Sequence, residues 1–389
     1  MSVNNTVLKN ARNGRYGATQ IDDEEVKEVT GVLKTKELFR YDRKISKTND
    51  LEEKLQKHFG ISNVLALCNG SASLKAAMVA AQIKKGDEVL VTPYTFIATV
   101  NSIISLGAVP VFVDIDETLS LDLTDAEKKI SSKTIAMITV HIQGDGTNIK
   151  NEAEFCRKHK LVFIEDCAQS FGTKVNGQFV GTAGSLGCFS LQANKLITCG
   201  EGGFLITDDA EFYQRARNFH DQGGNREVDS FANWDNPMAL FGENLKISEV
   251  QSAVALAQFN KVEIFLSKLR SNRAKIENGI KENEAFRLRK CVDPGGYNGV
   301  AVPFIAESKN HRNAIIDKLL EKSVPVTSLY DKLIYEFDLY RNDNEHWKVE
   351  TADCKNAEDL KCRMFWVLNS LEYTENEVNY IIEVLNKLI

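Results

Sequence analysis

The chain contains no apolar run approaching the roughly 20 residues that a membrane-spanning helix needs. Its first ten residues, Met1 to Asn10, are polar and lack the apolar core of a signal peptide. It has no excess of basic charge. A net charge of -6 offers no footing for nucleic acid or an anionic membrane. No two of the eight cysteines form a C-x-x-C pair, and the six histidines show no H-x-x-x-H or H-x-x-E spacing. Both facts weigh against a disulfide framework and a metal site. Several cysteines sit inside apolar strand-like runs instead, so they read as buried free thiols of a reducing, cytoplasmic compartment. Internal repeats, low-complexity tracts and linkers are also missing.

What is present is an ordinary globular composition, 43% hydrophobic and 26% charged, over 389 residues. That length suits a large α/β unit with a smaller lobe. Helical periodicity marks 22–36 and 51–59. Strand-like runs at 64–68, 88–92, 109–113, 135–140 and 161–165 then alternate with helical stretches at 71–83, 96–106, 124–130 and 150–159. Strands apolar on both faces, separated by helices, argue for a mostly parallel sheet covered by helices. Chemistry in such sheets gathers at the carboxyl ends of the strands.

Two further strands, 186–191 and 204–207, follow. Beyond about residue 210 the pattern changes. A helix at 211–219 precedes a polar loop, 221–242, and a long helical stretch, 247–285. A strand at 300–305 and helices at 311–322 and 375–388 read as a smaller α+β lobe. The expected division is 1–250, including the N-terminal helical segment, and 251–389.

Four segments fall at strand ends. Lys195 lies in Cys188-Phe-Ser190-Leu-Gln-Ala-Asn-Lys195, ahead of Gly200-Glu-Gly-Gly203. A lysine between two buried strands must stay solvated, find a partner or lose its proton. Without its proton it is a nucleophile for carbonyls. A surface lysine in a hairpin loop is the plainer reading. Asp166, in Val162-Phe-Ile-Glu-Asp166-Cys-Ala-Gln169, ends a buried strand. An acid there needs a cation, such as a protonated pyridine nitrogen, or serves as an N-cap. In Cys68-Asn-Gly70-Ser71-Ala72, a glycine and a helix start can hold a phosphate, and equally form a common turn and cap. In Thr92-Pro-Tyr94-Thr-Phe96 an aromatic can stack on a planar ring, or simply pack in the core.

Together these segments resemble the DegT/DnrJ/EryC1/StrS family of pyridoxal-phosphate (PLP) sugar aminotransferases. The resemblance runs from about residue 20 to the C-terminus. It rests on the ordered set Asn-Gly-Ser, Pro-Tyr-Thr-Phe, Val-Pro-Val-Phe-Val-Asp-Ile-Asp, Glu-Asp-Cys-Ala-Gln, Gly-Cys-Phe-Ser and Lys…Gly-Glu-Gly-Gly. It implies the α/β fold type I of PLP-dependent transferases: a large domain with a mostly parallel, mixed seven-stranded sheet between helices, and a smaller C-terminal α+β domain. It also implies site roles. Lys195 would bond the cofactor aldehyde and later move the substrate proton. Asp166 would pair with the pyridine nitrogen, and Gln169 would lie near the phenolic oxygen. Phe96 would stack on the ring. Ser71, Ala72 and Ser190 would hold the phosphate, and Asn244 would reach the phosphate of a neighbouring subunit. The implied unit is a homodimer with shared active sites. Its substrates would be L-glutamate or L-glutamine as donor and a keto-sugar-like acceptor, with contacts from 220–244 and Phe39-Arg40-Tyr41.

Two positions depart from the commoner forms of the family. Asn369 stands where histidine is frequent, and Lys246 where arginine often is. The resemblance leaves two other readings open: a dehydratase or aromatising enzyme of the aminohydroxybenzoate synthase type, and a PLP-binding regulator without turnover. Members specialised in sugar 3-dehydration carry histidine in place of the lysine, so Lys195 counts against that variant.

Overall fold

The computed structural model describes residues 14–42, 46–227, 230–342 and 353–388. In chain order the first strands are β1 (Asn63–Leu67), β2 (Glu88–Val91), β3 (Val109–Phe112), β4 (Thr134–Val140) and β5 (Val162–Asp166). A small hairpin, β6 (Lys174–Val175) and β7 (Gln178–Phe179), precedes β8 (Leu186–Ser190) and β9 (Gly203–Thr207). All of these except the hairpin form one seven-stranded sheet, in the order β1-β9-β8-β5-β4-β2-β3. Neighbours from β8 to β3 pair parallel. Only β9 runs the other way, antiparallel to both β1 and β8. The mostly parallel sheet expected from alternation is therefore present, and it is mixed and seven-stranded as the resemblance implied. It sets the carboxyl ends of β1, β2, β4, β5 and β8 along one edge.

These strands are apolar on both faces because helices cover both. The helix Gly70–Ala80 lies on β8 and β9, and the helix Ala210–His220 packs beside it. Behind the sheet, Phe189 and Phe204 stack with centroids 4.5 Å apart. The polar stretch 221–242 contains no helix or strand among its described residues.

The long helical stretch expected at 247–285 is two helices, Glu249–Asn260 and Val262–Gly279. They break at Lys261, whose ammonium is held by the Gln20 carbonyl and Glu25, each at 2.9 Å. Residues 251–260, drawn above with the C-terminal unit, pack on the helices Asp23–Thr35 and Lys47–Phe59. Residues 1–13 of the N-terminal unit lie outside the described residues.

The small lobe holds a second sheet: β10 (Phe286–Leu288), β11 (Ala301–Ala306), β12 (Val326–Thr327) and β13 (Met364–Leu368), in the order β10-β11-β13-β12 and antiparallel throughout. Sequence pattern revealed only β11. Two- and three-residue strands carry no periodicity, and β13 is buried at every position, so it shows no alternation. The two lobes share a core. Trp366 of β13 stacks on Tyr94, just past β2, at 6.4 Å and 16°.

Candidate active site

The strand ends surround a cavity of about 500 Å³. Six of the residues singled out from sequence line it: Ser71, Phe96, Asp166, Gln169, Ser190 and Lys195. Ala72 and Asn244 do not.

Asp166 is the last residue of β5 and only 5% exposed. Its Oδ2 accepts from the Thr99 hydroxyl at 2.7 Å and its Oδ1 from the Ala168 N–H at 3.1 Å. Burial raises its pKa, and these two donors oppose the rise. Lys195 is positioned by its backbone. Its N–H reaches the Gln192 carbonyl at 2.9 Å, and its own carbonyl accepts from Gly17 at 3.3 Å. Its ammonium has no hydrogen bond or ion pair among the described residues. Burial lowers its pKa, and Asp166 acts in the opposite direction. So the lysine is not an ordinary solvated one. It shares a cavity with a buried carboxylate that it does not touch through a hydrogen bond.

Glu165, one residue before Asp166, points to the other side of the sheet. It accepts from Gly181, Ala183 and Gly184 N–H groups at 2.8, 2.8 and 2.6 Å and pairs with His141 Nε2 at 3.1 Å. His141, Glu165 and Cys167 bring potential metal-binding atoms within 4.8 Å. Both Glu165 oxygens already take N–H donors, so the cluster reads as a hydrogen-bonded support beneath Asp166.

The turn from β1 into the helix Gly70–Ala80 makes a small concavity. A Cβ on Gly70 would stand 2.8 Å from the Ser190 Cβ, and one on Gly203 would stand 2.6 Å from the Asn69 backbone. Glycine at both places lets three chain segments close around the helix N-terminus. Asn69 caps that helix, accepting from the Ala72 N–H at 2.7 Å. The Ala72 amide is thus engaged internally. The first-turn amides of Gly70 and Ser71, with the Ser71 and Ser190 hydroxyls, remain to meet an anion.

Phe96 is 57% exposed and forms a wall of the cavity, so it is not a core residue. Gln169 Oε1 accepts from the Gln143 N–H at 3.1 Å, and its Nε2 donates to the Tyr330 hydroxyl at 3.0 Å. Thr99, Gln143 and Tyr330 line the cavity but were not singled out from sequence. Tyr330 comes from the loop after β12, far along the chain, where no local pattern marks it. Thr99 stands three residues past Phe96, just beyond the Thr92–Phe96 segment. Helical spacing was the available signal.

Other expected contacts lie elsewhere in this chain. Asn244 is exposed and pairs with Asp221 in an isolated bridge. Lys246 is bonded to Asp221, which also binds Arg226 Nε at 2.6 Å. Arg40 is buried against Glu52 at 3.0 Å. Asn369 is a structural side chain that donates to the Leu269 and Gly299 carbonyls at 2.8 and 2.7 Å. No described residue of 220–244 and none of Phe39, Arg40 and Tyr41 lines the cavity.

The sheet thus holds a half-buried lysine and a buried aspartate in one cavity at its carboxyl edge, and the protein is an aminotransferase of the PLP-dependent class. The chain belongs to the DegT/DnrJ/EryC1/StrS aminotransferase family, whose model matches residues 19–386. It is 29% identical over 339 residues to GDP-perosamine synthase of Escherichia coli O157:H7, covering 86% of this chain and 88% of that one. It is 34% identical over 342 residues to UDP-N-acetyl-3-dehydro-alpha-D-glucosamine 3-aminotransferase of Acidithiobacillus ferrooxidans, covering 87% and 88%. In fold it is similar to Helicobacter pylori PseC, an aminotransferase involved in the biosynthesis of pseudoaminic acid. The TM-score is 0.83 at 24% identity, over 95% of this chain and 96% of that one.

Proposed function

We propose that the protein uses pyridoxal 5'-phosphate to move an amino group from L-glutamate or L-glutamine to the keto or aldehydo group of a sugar, sugar acid or cyclitol in amino-sugar biosynthesis. One observation carries this reading: the half-buried Lys195 amine, without a hydrogen-bond partner among the described residues, shares a cavity with the buried Asp166 carboxylate. The names of the two curated relatives support the acceptor class.

The residues present fit the cofactor. A concavity that a Cβ on Gly70 would fill suits a phosphate, and Asp166 contacts only neutral donors. When bound, the cofactor supplies an aldehyde to carry the amino group and a ring to accept electrons from the substrate carbon. Ser71, Ser190 and the first-turn amides would hold its phosphate. Phe96 would cover the ring, and Gln169 would face the phenolic oxygen. Asp166 would keep the ring nitrogen protonated. Lys195, its proton loosened by burial, would supply the amine that holds the cofactor through its aldehyde carbon. The same amine would take the proton from the donor's α-carbon in the first half-reaction and, in the second, give a proton to the carbon aminated in the acceptor. Leu74, Phe171 and Leu368 line the cavity, and these apolar walls would limit water at this proton transfer.

Asn244 is exposed and outside its own chain's cavity, which suits a role in a second copy. We place it at the phosphate of a partner's site, in a homodimer with shared active sites. Lys246 and the rest of 220–244 would then approach the acceptor from that second copy. No described helix is long and apolar enough to cross a membrane, and the free cysteines suit a cytoplasmic setting.

The test is the first half-reaction. Purified protein loaded with the cofactor is mixed with L-glutamate or L-glutamine and followed in the visible region. Loss of the visible band with release of a keto acid is the expected result. A band that no amino donor bleaches would overturn the transaminase reading.

A further inference from the structure

Phe96 caps the helix Ile97–Ile104, and Thr99 follows three residues later. That spacing puts both side chains on one face, toward the cavity. Thr99 is 1% exposed. Its Oγ1 lies 2.7 Å from Asp166 Oδ2 and 2.9 Å from the hydroxyl of Thr95, which is buried too. The direction of this chain of hydroxyls follows from chemistry. An ionised carboxylate only accepts. Thr99 therefore gives its single proton to Asp166, and its oxygen receives the proton of Thr95. The Ala168 N–H holds the other carboxylate oxygen. Asp166 is thus fixed by one donor on each oxygen.

We propose that Thr99 is a positioning residue for transamination: its hydrogen bond aims the Asp166 carboxylate at the cofactor's ring nitrogen and keeps it ionised, with Thr95 setting the direction of the Thr99 hydroxyl. This rests on reading the cavity as the PLP site. A hydrogen bond donated to the charged form favours that form, and here it works against burial. Loss of the donor leaves Asp166 more readily protonated. The ring nitrogen then holds its proton less firmly and draws electrons less well. The other titratable groups that act on or beside Asp166 are Lys195, His141, Tyr330, Cys167 and Cys188. None of them is hydrogen-bonded to the Thr99 side chain, whose partners are Thr95 and Asp166.

The experiment uses the cofactor-loaded full chain as wild type, Thr99→Val, Thr99→Ser and Thr95→Val. Two quantities are read: the pH midpoint of the cofactor's visible band, and kcat and KM for the amino donor. In Thr99→Val the midpoint is expected to rise by about half a pH unit or more, and kcat to fall about tenfold, with KM within about threefold. Thr99→Ser restores the hydroxyl and is expected to lie within about twofold of wild type. Thr95→Val is expected to move both quantities in the direction of Thr99→Val, by less. An unmoved midpoint in Thr99→Val overturns the proposal, even if kcat falls, because packing loss alone would do that. Failure of Thr99→Ser to restore the midpoint overturns it as well. If Thr99→Val does not fold, Thr99→Ala carries the same expectations. A wild-type protein with no visible band would sink the cofactor reading itself. A normal wild-type titration with an unmoved variant sinks only the role of Thr99.

Discussion

Gln169 and Tyr330 meet across the two lobes, the Gln169 amide donating to the Tyr330 hydroxyl at 3.0 Å. One residue follows the end of β5, and the other sits on the loop after β12. The side chain expected beside the cofactor's phenolic oxygen is therefore oriented from the small lobe. Tyr330→Phe removes the acceptor and leaves the Gln169 side chain held through its Oε1 alone, by the Gln143 N–H at 3.1 Å. The expected loss in kcat/KM is about tenfold, the size of one hydrogen bond to a positioned polar group, with cofactor affinity within about threefold. Steady-state kinetics and a cofactor titration check this. Unchanged kcat/KM would show that the contact is incidental.

Gly70 tests the phosphate cradle. A Cβ there would press on the Ser190 side chain at 2.8 Å. Gly203 of β9 lies against the other side of the turn, so close that a Cβ on it would stand 2.6 Å from the Asn69 backbone. Gly70→Ala is expected to weaken pyridoxal phosphate binding by about tenfold or more, at a cost in packing of about 1–3 kcal/mol. Titration of the apoprotein reads it directly. Wild-type affinity would place the phosphate elsewhere.

The sheet and its site were legible to different degrees, for physical reasons. The strands carrying Asp166 and Ser190 are continuous apolar runs, so their place in a buried parallel sheet could be read from pattern. Lys195 and Asp166 were visible as charges where charge is costly. Tyr330 was not, since its role depends on how two lobes dock, and nothing near it in sequence records that. Thr99 is a polar residue inside a helix, which pattern alone treats as incidental. The break at Lys261 escaped notice because the partners of its ammonium, Gln20 and Glu25, are distant in the chain.

His220 sets a pH dependence of stability. It is fully buried, and its Nε2 has no hydrogen-bond partner among the described residues. Burial first, and the nearby Arg40 second, lower its pKa from 6.5 to about 3. Between those values the unfolded chain takes up a proton that the folded one refuses. Its contribution to stability is thus present above pH 6.5 and is lost as pH falls toward 3. The expected slope from this one group is up to about 1.4 kcal/mol per pH unit. Urea denaturation at pH 6.5, 5.5 and 4.5 should show a shallower slope in His220→Leu than in wild type. Equal slopes would remove His220 as a source.

Asp145 joins the lobes by charge. It binds Arg273 at 2.7 Å and Arg289 at 2.5 Å, and all three side chains are buried. Asp145→Asn leaves two guanidinium groups facing a neutral amide. Loss of one member of a buried ion cluster costs about 3–5 kcal/mol, so a large drop in the urea midpoint is expected. A change under about 1 kcal/mol would mean that water or Glu277 takes over the charge.

The central claim is that Lys195 is the residue joined to the cofactor. It is tested most directly by reducing the cofactor-loaded protein with borohydride, digesting it and locating the added mass. The expected result is a phosphopyridoxyl group on Lys195 alone, absent from Lys195→Ala under the same treatment. A label on another lysine, or one that persists in Lys195→Ala, would contradict the assignment.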